Sequence, residues 1–144
     1  MRSRTALAAL LVLAIALPAR PGEPASFQVI VHPSNSVSTF TREHLTRLFL
    51  KRSTTWEDGA PVVPVDQPES SEVRGQFTRK VLGKSMSAVR SYWQQRIFSG
   101  KDVPPLQRAS DEEVIAYVRQ NPGAVGYVSA GAAPAGVKVI PVQD

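Results

Sequence analysis

The chain has no cysteine, which excludes both a disulfide framework and a thiol for lipid attachment, so its stability rests on packing alone. Histidine is scarce, at two residues, and His32 and His44 stand at a spacing that matches no metal-ligand pattern. No Gly-x-Ser-x-Gly elbow, no cysteine nucleophile and no His-Glu-x-x-His occurs. These absences remove the common routes to hydrolytic and metal-assisted chemistry, and the chain is expected not to be an enzyme, with no metal and no cofactor. No apolar run reaches the roughly 20 residues that a helix needs to span a bilayer. Aromatic residues make up 7% and do not interleave with the basic clusters, since Lys51-Arg52 and Arg79-Lys80 are pairs rather than runs. The formal net charge of +5 includes Arg2 and Arg4, and the remaining excess is scattered as on solvated helix faces, so no nucleic-acid partner is expected.

What is present begins at the amino terminus. Arg2 and Arg4 precede an unbroken apolar run from Ala6 to Leu17, followed by Pro18 and Ala19. A charged segment, a short apolar segment and a small-residue exit are the pattern of a secretory signal. Residues 1–19 are therefore read as a signal peptide, with cleavage after Ala16 or Ala19, and residues 20–26 as a disordered leader carrying Pro and Gly. Residues 27–144, roughly 120 in number, are the size of one domain with a real core. With neither an anchor nor a membrane span after cleavage, the expected location is the periplasm.

The elements of this domain can be read from period and punctuation. Phe27 to His32 has strand composition and stops at Pro33, with Ser34-Asn35-Ser36 as a polar loop. Thr41 is a good N-cap, Phe40 and Leu45 form a hydrophobic staple, and Leu45, Leu48 and Phe49 make the buried stripe of a short helix. Trp56-Glu57-Asp58-Gly59 is a turn before a strand from Val62 to Val65, whose Pro64 predicts an edge or strand-end position. Ser70 or Ser71 caps a helix built on Val73, Phe77 and Val81 that Gly83 can end. Ser85 or Ser87 opens the next, with Val89, Trp93 and Ile97 four apart and Gly100 past its end. At this spacing Trp93 belongs to the core rather than to a stacking platform with Tyr92. Ser110 and Glu113 form a capping box for a helix on Val114, Ile115 and Val118. Pro122 then bars helix continuation, and Gly123 tolerates a positive φ. Ala124 to Val128 reads as a buried strand in which Gly126 lets another group approach closely. Val137 to Val142 supplies the last strand.

Four strands and four helices in one small domain predict an α/β three-layer sandwich, a mixed sheet of about four to five strands with helices on both faces. Ligands on such sheets sit beyond the carboxyl ends of strands, and two loops qualify, Pro33 to Ser38 and Asp66 to Ser71. Ser34 and Ser36 are the hydroxyls of the first. In the second, Ser70 and Ser71 at a helix start offer hydroxyls and unpaired N–H groups at the positive end of the dipole, and Arg74 can add a guanidinium, which together make an oxyanion site. The simpler alternative is that one serine is an N-cap and Arg74 a solvated residue. Asp66, Glu69 and Glu72 weigh on that side, because a carboxylate near a bound anion costs somewhere between ~1 and ~4 kcal/mol. His32, at a strand end, could orient a group in its loop, but reads first as a partly exposed structural residue, and His44 as a surface one.

From Phe27 to Ser129 the chain resembles the second lobe of the phosphate-binding proteins of ABC transporters, the type II periplasmic binding proteins. Asn121 to Val128 is similar to that family's Pro-Gly-(Ser/Ala)-Ile-Gly-Tyr segment. Leu45 to Asp58 is similar to its apolar helix, Gly-Lys turn and Trp-Asn-Asp, and Val62 to Phe77 to its strand and phosphate loop. The resemblance implies one lobe of a clamp that normally has two, and a role in solute or anion recognition, with phosphate as the ligand and an ABC transporter permease as a partner. In the family, an Arg, three spacer residues and Ser-Gly-Thr reach phosphate. Here Ser70 keeps the serine, Ser71 replaces the glycine, Glu72 replaces the threonine and Asp66 stands in the arginine's place. The competing expectation is a protein-interaction module that has lost phosphate capture and docks on an envelope partner through the face a second lobe would cover.

Overall fold

A computed structural model describes residues 26–144; the signal peptide assigned to residues 1–19, and all of the leader but Ser26, lie outside the described residues. The first strand, β1 (Phe27–Val31), is followed by the two-residue β2 (Phe40–Thr41) and α1 (Arg42–Phe49). Next come β3 (Val63–Asp66), α2 (Glu72–Phe77) with a π-helical extension Thr78–Leu82, α3 (Met86–Phe98), β4 (Leu106–Gln107) and α4 (Asp111–Gln120). The chain closes with β5 (Ala124–Ser129), β6 (Lys138–Ile140) and β7 (Val142–Gln143).

Five strands form the main sheet in the order β4-β3-β5-β1-β6, and β2 pairs with β7 in a separate parallel ribbon. The sheet is mixed: β5 is parallel to β3 and antiparallel to β1, while β6 is antiparallel to β1. The strand Ala124–Ser129 is central, and its first five residues are all buried, as expected of a strand covered on both faces. The alternation of its side chains divides the core. Val125 and Tyr127 join Val29 and Val31 against α1, α2 and the π-helical turn, through Leu45, Leu48, Phe49, Val73, Phe77 and Val81. Ala124 and Val128, with Ile30 and Val65, face Val114, Ile115 and Val118 of α4. Helices therefore cover both faces, and the three-layer sandwich expected from the sequence is the observed fold.

Caps and glycines act locally as their chemistry requires. Thr41 Oγ1 accepts the His44 N–H and Ser85 Oγ the Ala88 N–H, so each begins a helix. Ser110 Oγ accepts the Glu113 N–H, while Glu113 returns its carboxylate to the N–H of Ala109 rather than of the cap itself. Gly126 sits under α4, where an added Cβ would lie 2.7 Å from Val114 Cγ1, so the close approach expected there is made by a helix and not by a ligand. Gly123 does not take the positive φ expected of it. Its need is steric, since a Cβ would lie 2.4 Å from the Pro61 carbonyl oxygen.

Three other expectations are modified. Pro64 lies in a strand with neighbours on both sides, yet β4 pairs only with Val65 and Asp66. The Val63 N–H points to Gly123 O on the β5 side, so the nitrogen of Pro64 faces the stretch where β4 is absent, a local edge. The helix from Ser71 does not run uniformly to Gly83 but widens to π geometry from Thr78 before Gly83 ends it at φ 61°. Ile97 is not part of the buried stripe. Val89 and Trp93 are buried, and Ile97 is 52% exposed.

Candidate functional site

The antiparallel pairing of β1 with β5 separates the two candidate loops. Val31 pairs with Val125 near the start of β5, whereas Phe27 pairs with Ser129 at its end. The loop after Val31, which carries Ser34 and Ser36, thus leaves the sheet at the end where β3 and β5 begin. The Asp66 to Ser71 loop leaves at the end where they finish. Five residues of strand at about 3.3 Å each stand between them, so Ser34 and Ser36 do not share a site with Ser70, Ser71 and Arg74.

At the Asp66 end, the structure gathers a buried polar cluster. Asp66 is the last residue of β3, 9% exposed, and Arg74, in α2, is 5% exposed. Arg74 Nε lies 3.4 Å from Asp66 Oδ1, and its Nη1 donates to Gln67 O at 2.8 Å. The Tyr127 hydroxyl, reaching in from the central strand, donates to Asp66 Oδ1. The Gln67 N–H points at both Asp66 Oδ1 and the Tyr127 hydroxyl, each at 3.2 Å. The Gln67 side chain donates to Asp111 Oδ1 at 2.9 Å and to Tyr127 O at 3.2 Å, and its Oε1 accepts from Ser71 Oγ at 3.0 Å. Asp111, at the start of α4, also takes the Ser129 N–H. One loop, two helix starts and the central strand are thereby tied through side chains that satisfy one another, the condition for burying them.

The sequence explains this local order. Ser71 is the N-cap of α2, its Oγ accepting the Arg74 N–H, and the cap fixes where α2 begins. That phase turns Arg74 inward, and a buried guanidinium requires a carboxylate, which Asp66 supplies. Burial pushes the Asp66 carboxyl above the ordinary carboxylate range, while the Arg74 charge, the Tyr127 hydroxyl and the Gln67 N–H pull it back. The Tyr127 phenol is raised far above its usual value, by burial first and by the negative charge of Asp66 second.

Of the five anion candidates, Ser71 is a cap, Arg74 is neither solvated nor unpaired, and Ser70 is exposed beside the cluster. Glu69 turns outward to Arg90, with Nε at 3.1 and 3.2 Å from its two oxygens. Ser34 and Ser36 line a cleft of about 970 Å³ at the opposite end, together with Thr39, His44, Trp56 and Asp58. In that cleft Ser34 Oγ is 2.7 Å from His32 Nδ1. Burial and the neighbouring Arg47 hold His44 below the ordinary histidine value, against a smaller opposing pull from Glu57. Gln67 and Tyr127 were not among the candidates. A tyrosine within an otherwise apolar buried strand has a hydroxyl that needs a partner, and that requirement is the signal that could have found them.

The chain matches no family model and no curated protein. It does match solved structures. An ABC-type phosphate transport receptor from Vibrio cholerae shares its fold at a TM-score of 0.62 and 22% identity, over 81% of this chain and 46% of that one. A phosphate ABC transporter substrate-binding protein from Clostridium perfringens, with bound phosphate, matches at a TM-score of 0.65 and 21% identity, over 81% of this chain and 44% of that one. PstS from Borrelia burgdorferi matches at 0.65 and 16% identity, over 83% and 47%. The fold is that of one lobe of a periplasmic binding protein, and the chain spans under half the length of the structures it matches. Among the described residues, no helix is long and apolar enough to cross a membrane.

Proposed function

We propose that this chain is an exported, non-enzymatic solute-binding lobe that recognises a small oxyanion of the phosphate class at the sheet end formed by Asp66 to Arg74, in association with an ABC transporter. The observation that carries the reading is the placement of a guanidinium, Arg74, and a serine-capped helix start at the carboxyl end of β3, in a fold shared with phosphate receptors. Within this reading residues 1–19 direct export, residues 20–26 are a leader, and residues 27–144 bind. Ser70 is exposed next to the Ser71 cap, and Arg74 is buried in α2. Ser34 and Ser36 belong to a separate polar cleft.

Asp66 sets the strength of this recognition. It engages the guanidinium that an anion would need, so capture is weak at neutral pH and strengthens when the carboxyl is neutralised. The carboxyl is raised above its ordinary value, so acidification toward that raised value protonates Asp66 and releases Arg74. The test is a thermal-shift titration with phosphate and sulfate. A shift that grows as pH falls, is larger in Asp66→Asn and is absent in Arg74→Gln supports the reading. The absence of any shift at millimolar oxyanion in both the natural chain and Asp66→Asn refutes it. In that event the second reading takes precedence, a docking module for an envelope protein. The same Asp66–Arg74 pair favours that reading, because it engages the guanidinium within the protein, and co-purification of a specific partner would test it.

A further inference from the structure

Away from that sheet end, α1 and α3 terminate together. The Tyr92 hydroxyl donates to Leu50 O at 2.7 Å, and Lys51 Nζ lies 3.6 Å from Asp102 Oδ1, so the end of α1 is fastened to the turn that follows α3. That turn is rigidly made. The Gly100 N–H returns to Ile97 O and the Lys101 N–H to Arg96 O, with Gly100 at φ 67°, the double hydrogen bond of a Schellman stop. Apolar side chains stand exposed around this turn: Phe98 is 96% exposed and Val103 60%, with the half-exposed Ile97 beside them.

The net charge around this tip is positive: Lys51, Arg52, Arg96 and Lys101 stand against Asp102, which Lys51 pairs. The helix Met86–Phe98 carries Arg90 and Arg96 and no Asp or Glu. The guanidiniums of Arg52 and Arg96 lie 5.6 and 5.4 Å from the centre of the same Tyr92 ring, and among the described residues neither is paired with a carboxylate. Arg96 Nε is buried without a hydrogen-bond partner. Two guanidiniums held on one aromatic ring are pre-oriented for a phosphodiester. Phe98, Val103 and Ile97 are all exposed at this turn. An exposed apolar point with cations around it fits a soft anionic interface, where the apolar side chains enter the acyl boundary and the guanidiniums meet headgroup phosphates.

We propose that the joint end of α1 and α3 docks on the surface of an anionic phospholipid bilayer, with Phe98 as the inserted side chain and Arg52 and Arg96 as the headgroup contacts. The lack of native cysteine makes a single reporter possible. An environment-sensitive label on Ser99→Cys in the full chain, with a second preparation labelled at Glu57→Cys in the cleft of Ser34 and Ser36, is titrated with vesicles of phosphatidylcholine alone or with one-third phosphatidylglycerol. The expected result is a blue shift at position 99 only with the anionic vesicles, and none at position 57. The double change Arg52→Gln/Arg96→Gln weakens it by roughly tenfold or more, Phe98→Ser abolishes it, and free inorganic phosphate produces no shift. Unchanged melting temperatures establish that these surface variants are folded. No shift at position 99, an equal shift with neutral vesicles, or a shift indifferent to both sets of substitutions would each overturn the proposal. Indifference to the substitutions would assign the contact to another part of the chain, the apolar run at Ala6–Leu17 included.

Discussion

The two ends of the sheet are built from similar residue types and put them to opposite use. Where β3 and β5 finish, the buried Asp66, Gln67, Arg74 and Tyr127 satisfy one another with the half-buried Ser71 and Asp111. Where those strands begin, Ser34, Ser36, Thr39, His44 and Asp58 line an open cleft and remain wetted. The difference is burial. A charge or hydroxyl covered by helices must find its partner within the protein, and once it has done so it is withdrawn from any ligand. Hydroxyls on a loop face no such demand, so a polar loop keeps its capacity to bind.

The largest effect should come from breaking the buried end. Asp66→Ala leaves the Arg74 charge without its partner, and we expect a loss of about 3–5 kcal/mol in urea unfolding. The paired change Asp66→Leu/Arg74→Met should cost clearly less than the single one. A paired change that costs as much would mean that the ion pair is not what the site depends on. Next in size is the floor of the open end, where Gly123 precedes β5. Gly123→Ala drives a Cβ toward the Pro61 carbonyl, which is backbone and cannot step aside, and should cost about 1–3 kcal/mol. It should also loosen the Trp56 indole, whose Nε1 donates to Gly123 O at 3.1 Å, and a change in tryptophan fluorescence would register that.

The two adjacent serines separate a structural hydroxyl from an available one. Ser71→Ala removes the cap of α2 and should cost about 1 kcal/mol, whereas Ser70→Ala, exposed and without a hydrogen bond among the described residues, should fall within about 0.5 kcal/mol of zero. Equal losses at both would contradict the placement of the helix start. The smallest effect belongs to the open cleft. His44 is held below its ordinary value, so the folded state prefers the neutral ring. The stability this contributes is present above about pH 6.5 and is lost as the pH falls toward the lowered value. A melting-temperature difference between the natural chain and His44→Gln that does not change between pH 7.5 and pH 5 would show that the ring is fully solvated.

Much of the fold is legible in the sequence because it follows from local rules. Thr41, Ser85 and Ser110 are caps by their own chemistry, and the four-residue spacing of Val73, Phe77 and Val81 marks a buried helix face whatever it packs against. Ala124 to Val128 announces a buried strand by being apolar but for the Tyr127 hydroxyl. The candidate site was legible only in part. Ser70, Ser71 and Arg74 were found as neighbours in sequence, but the role of Arg74 depends on which way α2 is turned, and that is fixed by the packing of Val73 and Phe77 on the sheet. The stacking of Phe77 on Tyr127, 4.1 Å between ring centres, positions the phenol that reaches Asp66, a contact across 61 residues of chain.

By itself the sequence determined the class of domain, the places where helices begin and stop, and the presence of a carboxylate, Asp66, at the end of β3. Each of these depends on a residue and its immediate neighbours. Only the tertiary structure decided that Asp66 and Arg74 meet, that the two serine loops lie at opposite ends of the sheet, and that Phe98 stands in water. Those outcomes depend on strand direction and on the rotation of packed helices, which arise from the whole core at once and are carried by no single segment of the chain.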